Sequence, residues 1–106
     1  MFENFIKAKN GGRNHGLYTM LNNQTDFQLS KSINSYYKNV EEHQEKIKNP
    51  AKYVENWKNR SEQYKIGIVK KWEKDMFRNQ EQLEVALGIA KERGNWLWMT
   101  KWLSNI

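Results

Sequence analysis

Residues 25–50 read TDFQLSKSINSYYKNVEEHQEKIKNP, and their spacing decides the fold. Leu29, Ile33, Tyr36, Val40, His43 and Ile47 recur at alternating gaps of four and three. That spacing holds one stripe of side chains toward a partner over about five helical turns. Thr25 and Gln28 form a capping box, each side chain reaching the other's backbone amide, so the helix starts there. It ends at Asn49-Pro50, because proline pushes the residue before it out of the helical region. Five of the six stripe positions are apolar or aromatic; the sixth is His43, one of two histidines in the chain.

Outward from this helix, a second long one is expected over about 62–93. Ser61 is its cap, and Val69, Trp72, Met76, Asn79, Leu83, Ala86 and Ala90 form its stripe. Gly67 and Gly88 lie inside it and weaken it by about 1 kcal/mol each relative to alanine. Gly94-Asn95 supplies a stop and a new cap. Pairing the stripes from the connected end sets Ile47 near Val69, His43 near Trp72 or Met76, and Tyr36 near Asn79. Short helices complete the chain. Phe2, Phe5 and Ile6 share a face in residues 1–9, Leu17, Tyr18 and Leu21 cover one end of the core, and Tyr53, Val54 and Trp57 point inward after Pro50. The terminal WLWMTKWLSNI, with Trp98, Met99, Trp102, Leu103 and Ile106, is a very apolar helix that seals the core or meets a partner. No β-alternation is long enough for a strand. The expected fold is all-α: a long antiparallel hairpin, about 26–49 and 62–93, with short helices packed across it.

A chain of 106 residues is expected to form one domain, 1–106. Its aromatic share of 13% matters more than its polar average, since each large ring buries about 150–250 Å² and disordered chains are poor in rings. The net charge of +6 favours an anionic partner: nucleic acid, an acidic protein or an anionic membrane surface. A Lys- and Asn-rich composition also accompanies an AT-rich genome. Without cysteine there is no disulfide framework and no Cys-ligated metal. Neither a secretory leader nor a membrane span is expected, because no apolar run reaches the length either needs.

Two places carry candidate chemistry. His43 has Lys46 one turn on; a histidine exchanges protons near neutral pH, and a lysine offsets charge developing on a phosphorane. The alternative for His43 is a buried ring bonded to a glutamate or a backbone carbonyl. Residues 10–16, NGGRNHG, form the one glycine-rich loop and present Arg13 and His15. This loop is either an anion-binding turn or a plain connection, and its spacing matches neither a dinucleotide fingerprint nor a P-loop. If the loop folds toward His43, the two histidines and Arg13 converge on a base, an acid and a cation for cleaving RNA without a metal. Lys70, Lys71, Lys74 and Arg78 around Trp72 suggest phosphate contact plus base stacking, or a solvated face. No metal ligand set and no cofactor is expected, as no HExxH spacing occurs and Glu41, Glu42, His43 and Glu45 lie too close together.

Three stretches together resemble a known class. GGRNHG, then SKSINSYYKNVEEHQEKIKNP with AKYVENW, then KKWEKDMFRNQEQLEVALGI are similar to the C-terminal toxin modules of bacterial polymorphic toxins. Such modules ride on contact-dependent inhibition, Rhs-type and LXG type VII carriers. The resemblance spans about residues 10–90 and rests on the EHxxKIxNP and KKWxxDxxRxxEQ elements. It implies delivery as part of a larger toxin into the cytoplasm of a competing bacterium, and a cognate immunity protein, expected to be acidic. Many such modules are nucleases, often acting on tRNA. The expected function is therefore a metal-independent ribonuclease toxin using His43, His15, Arg13 and Lys46. The alternatives are a non-enzymatic basic module that binds nucleic acid or an acidic protein, and a membrane-active toxin using the Trp-rich end.

Overall fold

The computed structural model describes residues 2–94. Among them are α1 (Glu3–Lys9), α2 (His15–Asn22), α3 (Asp26–Lys48), α4 (Pro50–Tyr53) and α5 (Glu62–Glu92), with a 3-10 turn at Trp57–Asn59 and no strand. The fold is all-α, and α3 packs along α5 as the two stripes require. The Trp-rich segment and the cap expected at Asn95 lie outside the described residues.

Each long helix starts where local chemistry starts it. Thr25 Oγ1 accepts from the Gln28 amide at 3.2 Å, and Gln28 Oε1 accepts from the Thr25 amide at 3.0 Å. Ser61 Oγ accepts from the Tyr64 amide at 3.1 Å to open α5. Past the end of α5, Gly94 takes a φ of +80°, the left-handed turn that glycine makes without strain. The register is set by Arg93 Nη1 donating to Asp26 Oδ1 at 3.1 Å and by Asn39 Nδ2 lying 3.5 Å from Asn79 Oδ1. These pairs put His43 level with Met76, one of its two expected neighbours. Tyr36 falls level with Leu83, about one turn from the expected Asn79. Asn79 is buried but satisfied, since its Nδ2 also donates to the Asp75 carbonyl at 2.9 Å.

The core gathers at the open end of the hairpin, away from the 49–61 connection. Leu29 and Ile33 of α3, Leu21 of α2, Phe5 and Ala8 of α1, and Val85, Ala86, Ile89 and Ala90 of α5 are all buried there. Leu17 and Tyr18 pack against them, as expected for one end of the core. At about 100° per residue, Ala86 and Ala90 of α5 share a side with Asn79, whereas Glu84, Gly88 and Glu92 lie roughly opposite. Helix α3 takes the first side and α1 the second, so α5 runs between them.

The α1 side of α5 is a row of three complementary contacts spaced one turn apart. Glu84 accepts from the amides of Asn4 and Phe5, the latter at 3.2 Å, placing a carboxylate where the unpaired N–H groups of α1 need one. Gly88 receives the Phe5 ring; a Cβ there would come within 2.2 Å of its Cγ. Glu92 accepts from Lys9 Nζ at 2.6 Å. The helix-weakening glycine is thus the notch into which α1 docks.

Two inward placements expected from sequence fail. Ile6 is 54% exposed, because α1 turns its Phe5–Ala8 edge to the core and Ile6 falls on the other side. Tyr53 is also exposed, since the single turn of α4 places it against the outer side of α3 rather than in the core. Trp57 is half-buried, with the Lys65 ammonium 5.6 Å from its ring.

The two glycines of α5 should respond oppositely to alanine. Gly88→Ala is expected to lose about 1–3 kcal/mol of stability by overpacking. Gly67→Ala meets nothing within 4 Å and should gain up to about 1 kcal/mol from helix propensity. Urea titrations of the two variants measure both signs. Burial holds the Tyr36 phenol above its ordinary pKa of 10.0, so the fold favours the neutral ring. That contribution is complete below pH 10 and is lost as pH climbs through the raised value. Alkaline unfolding followed by circular dichroism should therefore be blunted in Tyr36→Phe.

Candidate nucleic-acid interface

The side of α5 that α1 covers at its C-terminal end continues uncovered toward the N-terminus. Lys70, Lys74, Phe77 and Glu81 follow one another at gaps of four, three and four, on the same side as Gly88 and about 160–220° from Asn79. The glycine loop between α1 and α2 folds beside this row. Gly11 takes a φ of +92° and Gly12 donates to the Lys7 carbonyl at 2.8 Å, reversing the chain directly after α1. Asn14, at a φ of +67°, then opens α2. This turn carries Arg13 and Asn14 onto Glu81, with Arg13 Nε at 3.0 Å and Asn14 Nδ2 at 3.3 Å from Oε2.

The result is a groove of about 380 Å³ between the loop and α5. Arg13, Lys70, Lys74 and Arg78 line it together with Glu73, Glu81 and Phe77. Four cations against two carboxylates leave a net of two positive charges. Arg78 Nη2 also donates to Asp75 at 3.1 Å, across an exposed pair. Among the described residues Lys70 and Lys74 pair with no carboxylate. The Phe77 ring is 55% exposed in the middle of these charges.

The expected binding residues divide by side of the helix. Lys70, Lys74 and Arg78 line the groove, and Arg13 joins them from the loop. Lys71 is exposed on the flank of α5 and is not part of the lining. Trp72 is a correction: it is 8% exposed, on the stripe that meets α3, and has no free face for a base. Phe77 holds the exposed position that sequence reasoning assigned to Trp72. Its signal was present, as a large ring one turn from Lys74 on a row with no other apolar residue before Gly88.

The candidate proton carriers do not converge. His15 Nδ1–H donates to the Ala8 carbonyl at 2.8 Å, and its ring stacks on Tyr18 at 6.2 Å between centroids. His43 Nδ1–H donates to the Asn39 carbonyl at 2.7 Å, one turn back on its own helix. In both neutral rings this leaves Nε2 as the acceptor. His43 belongs to α3 and lies ten residues, or about 15 Å, along it from the buried Ile33. Helix α5 stands between α3 and the loop bearing His15. Lys46 accompanies His43 rather than the groove, with its Nζ 6.0 Å from the Tyr53 ring. The outer side of α3 is acidic: a hollow of about 390 Å³ is lined by Glu41, Glu42 and Glu45 with Lys38 and Tyr53. A phosphate is repelled there and attracted across the molecule. Among the described residues no three His, Cys, Asp or Glu side chains gather as metal ligands.

Compared with known proteins, the chain matches no family model, no curated protein and no solved structure.

Truncating Trp72 to alanine should cost about 3–5 kcal/mol, the range for a large buried ring. The milder Trp72→Phe should keep the affinity of the folded protein for nucleic acid. Denaturant curves read the first effect and oligonucleotide titration the second.

Proposed function

We propose that this chain is a nuclease module of the bacterial toxin type, acting on RNA without a metal and neutralised by an acidic immunity protein. The groove on α5 carries the reading: cations from two separate elements surround one exposed ring, while a hollow on the far side of α3 is lined by three glutamates. The resemblance of residues 10–90 to polymorphic-toxin modules supports delivery within a larger toxin and action in the cytoplasm of the target bacterium. Among the described residues no helix is long and apolar enough to cross a membrane.

Cleavage of RNA by its own 2′-hydroxyl needs a base for that hydroxyl, charge stabilisation for the phosphorane and an acid for the leaving oxygen. Arg13, Lys70 and Lys74 supply the charge. His15, which opens α2 two residues after Arg13, is the nearer of the two histidines to the groove in sequence and the candidate to exchange the proton, through Nε2. His43 then serves α3, tying its ring to the Asn39 carbonyl. An immunity protein with an acidic face would close the groove and exploit the same charges for fast capture.

A second reading is favoured by the separation of the histidines. With no acid–base pair assembled, the groove would bind nucleic acid without cleaving it. Induced expression in cells, followed by gels of total RNA and DNA, separates the two. The nuclease reading expects discrete RNA fragments from the wild type, far fewer from Lys70→Glu/Lys74→Glu and from His15→Ala, and undiminished fragments from His43→Ala. Intact RNA with salt-sensitive binding leaves the binding module. Fragments lost only in His43→Ala would place the chemistry on α3.

A further inference from the structure

We infer that the groove takes single-stranded nucleic acid, with one unstacked base lying on Phe77 and its phosphate held by Lys70 and Lys74. The inference rests on the reading above only for the class of polymer bound, and it concerns binding rather than cleavage.

The position of Phe77 is the first ground. A large aromatic ring on a charged helix face is left more than half in water by the fold. The core lies elsewhere: α3 covers the Trp72 side of α5, and α1 covers its Gly88 end. Lys74 and Arg78 flank the ring in sequence, three residues before and one after. A ring bordered by cations is the arrangement that single-strand binders use, since every base presents a flat face and every linkage a negative charge. A duplex keeps its bases stacked inside and offers Phe77 only a backbone. A groove of about 380 Å³ has room for a base with its phosphate but not for the width of a double helix.

The charges orient the strand. Glu81 is occupied by Arg13 and Asn14 at the loop end, while Lys70 and Lys74 are unpaired among the described residues at the other. Glu73 sits between the two lysines in sequence and accepts no hydrogen bond from the described residues. A phosphate is drawn to the end where two lysines outnumber one carboxylate, and away from Glu81, whose cation is already engaged. The edge of a base carries N–H donors and is welcome beside Glu73. Arg13 adds a reserve. Its ion pair with Glu81 is mostly exposed, 71% on the arginine side, and such pairs are worth roughly 0–1 kcal/mol. A second phosphate can therefore take Arg13 over from Glu81.

The test is fluorescence anisotropy with a labelled 2′-O-methyl RNA oligonucleotide, which cannot be cleaved, beside the same sequence as a duplex. Phe77→Ala should weaken single-strand binding by about 5- to 150-fold, the span of one lost stacking contact. Phe77→Trp should retain or improve it. Glu81→Gln should tighten it by releasing Arg13. The duplex should bind more weakly than the single strand and ignore Phe77→Ala. Circular dichroism checks that each variant is folded. Equal single-strand affinity for Phe77→Ala and wild type overturns the inference, as does a duplex that binds as tightly as the single strand. Competition by an acidic peptide at equal strength, again indifferent to Phe77, would also overturn it and assign the groove to a protein. Because the probe resists cleavage, failure of the nuclease reading leaves a different mark: Phe77-dependent binding intact and no RNA fragments in cells.

Discussion

The seating of Phe5 against Gly88 is the contact on which the remaining architecture depends. A two-helix hairpin of this length buries one stripe of each helix and leaves their outer sides in water. By giving up a side chain at one position, α5 lets α1 approach its backbone and gains a second buried side. Glu84 and Glu92, one turn to either side, fix the pose by satisfying the start of α1 and its last lysine. Once α1 is seated, its length determines where the following loop begins. The tight reversal at Gly11 and Gly12 then delivers Arg13 to Glu81. The groove is thus a by-product of a packing decision made two to three turns away.

Charge is distributed so that the hollow on α3 and the groove on α5 differ in sign. The outer side of α3 gathers Glu41, Glu42 and Glu45, and that of α5 gathers Lys70, Lys74 and Arg78. A net charge of +6 spread evenly would attract anions weakly everywhere. Separated in this way, it gives an anion a preferred side from which to approach. The salt bridges within the groove are exposed and contribute little to folding, so exchanging them for contacts with a ligand costs the protein little.

The long helices were legible because their signals are local. A capping box, a serine cap, proline and a four–three rhythm act within one stretch of chain, and α3 and α5 are capped by Thr25 and Ser61 accordingly. The second stripe of α5 was not legible. Lys70, Lys74, Phe77, Glu81, Glu84, Gly88 and Glu92 share a side, but charges and a glycine do not look like a packing surface until α1 lies on part of it. The same blindness put Trp72 into the candidate site. Its lysine neighbours in sequence lie around the helix from it, and its place on the buried rhythm outweighed their company. His43 shows the converse. Its stripe position was right, yet an imidazole bonded to the carbonyl one turn back fits a satisfied core-edge residue as well as a proton carrier.

That α5 is covered on its second side over only half its length has a consequence for how the sequence can change. From Glu84 to Glu92 each residue on that side answers to α1, and a substitution is felt in the core. From Lys70 to Glu81 the same side answers to nothing inside the molecule beyond the loop that rests on Glu81. Substitutions in this half can change the charge and shape of the groove while the scaffold folds unchanged. A single helix thereby holds a constrained anchor and a substitutable surface, joined end to end.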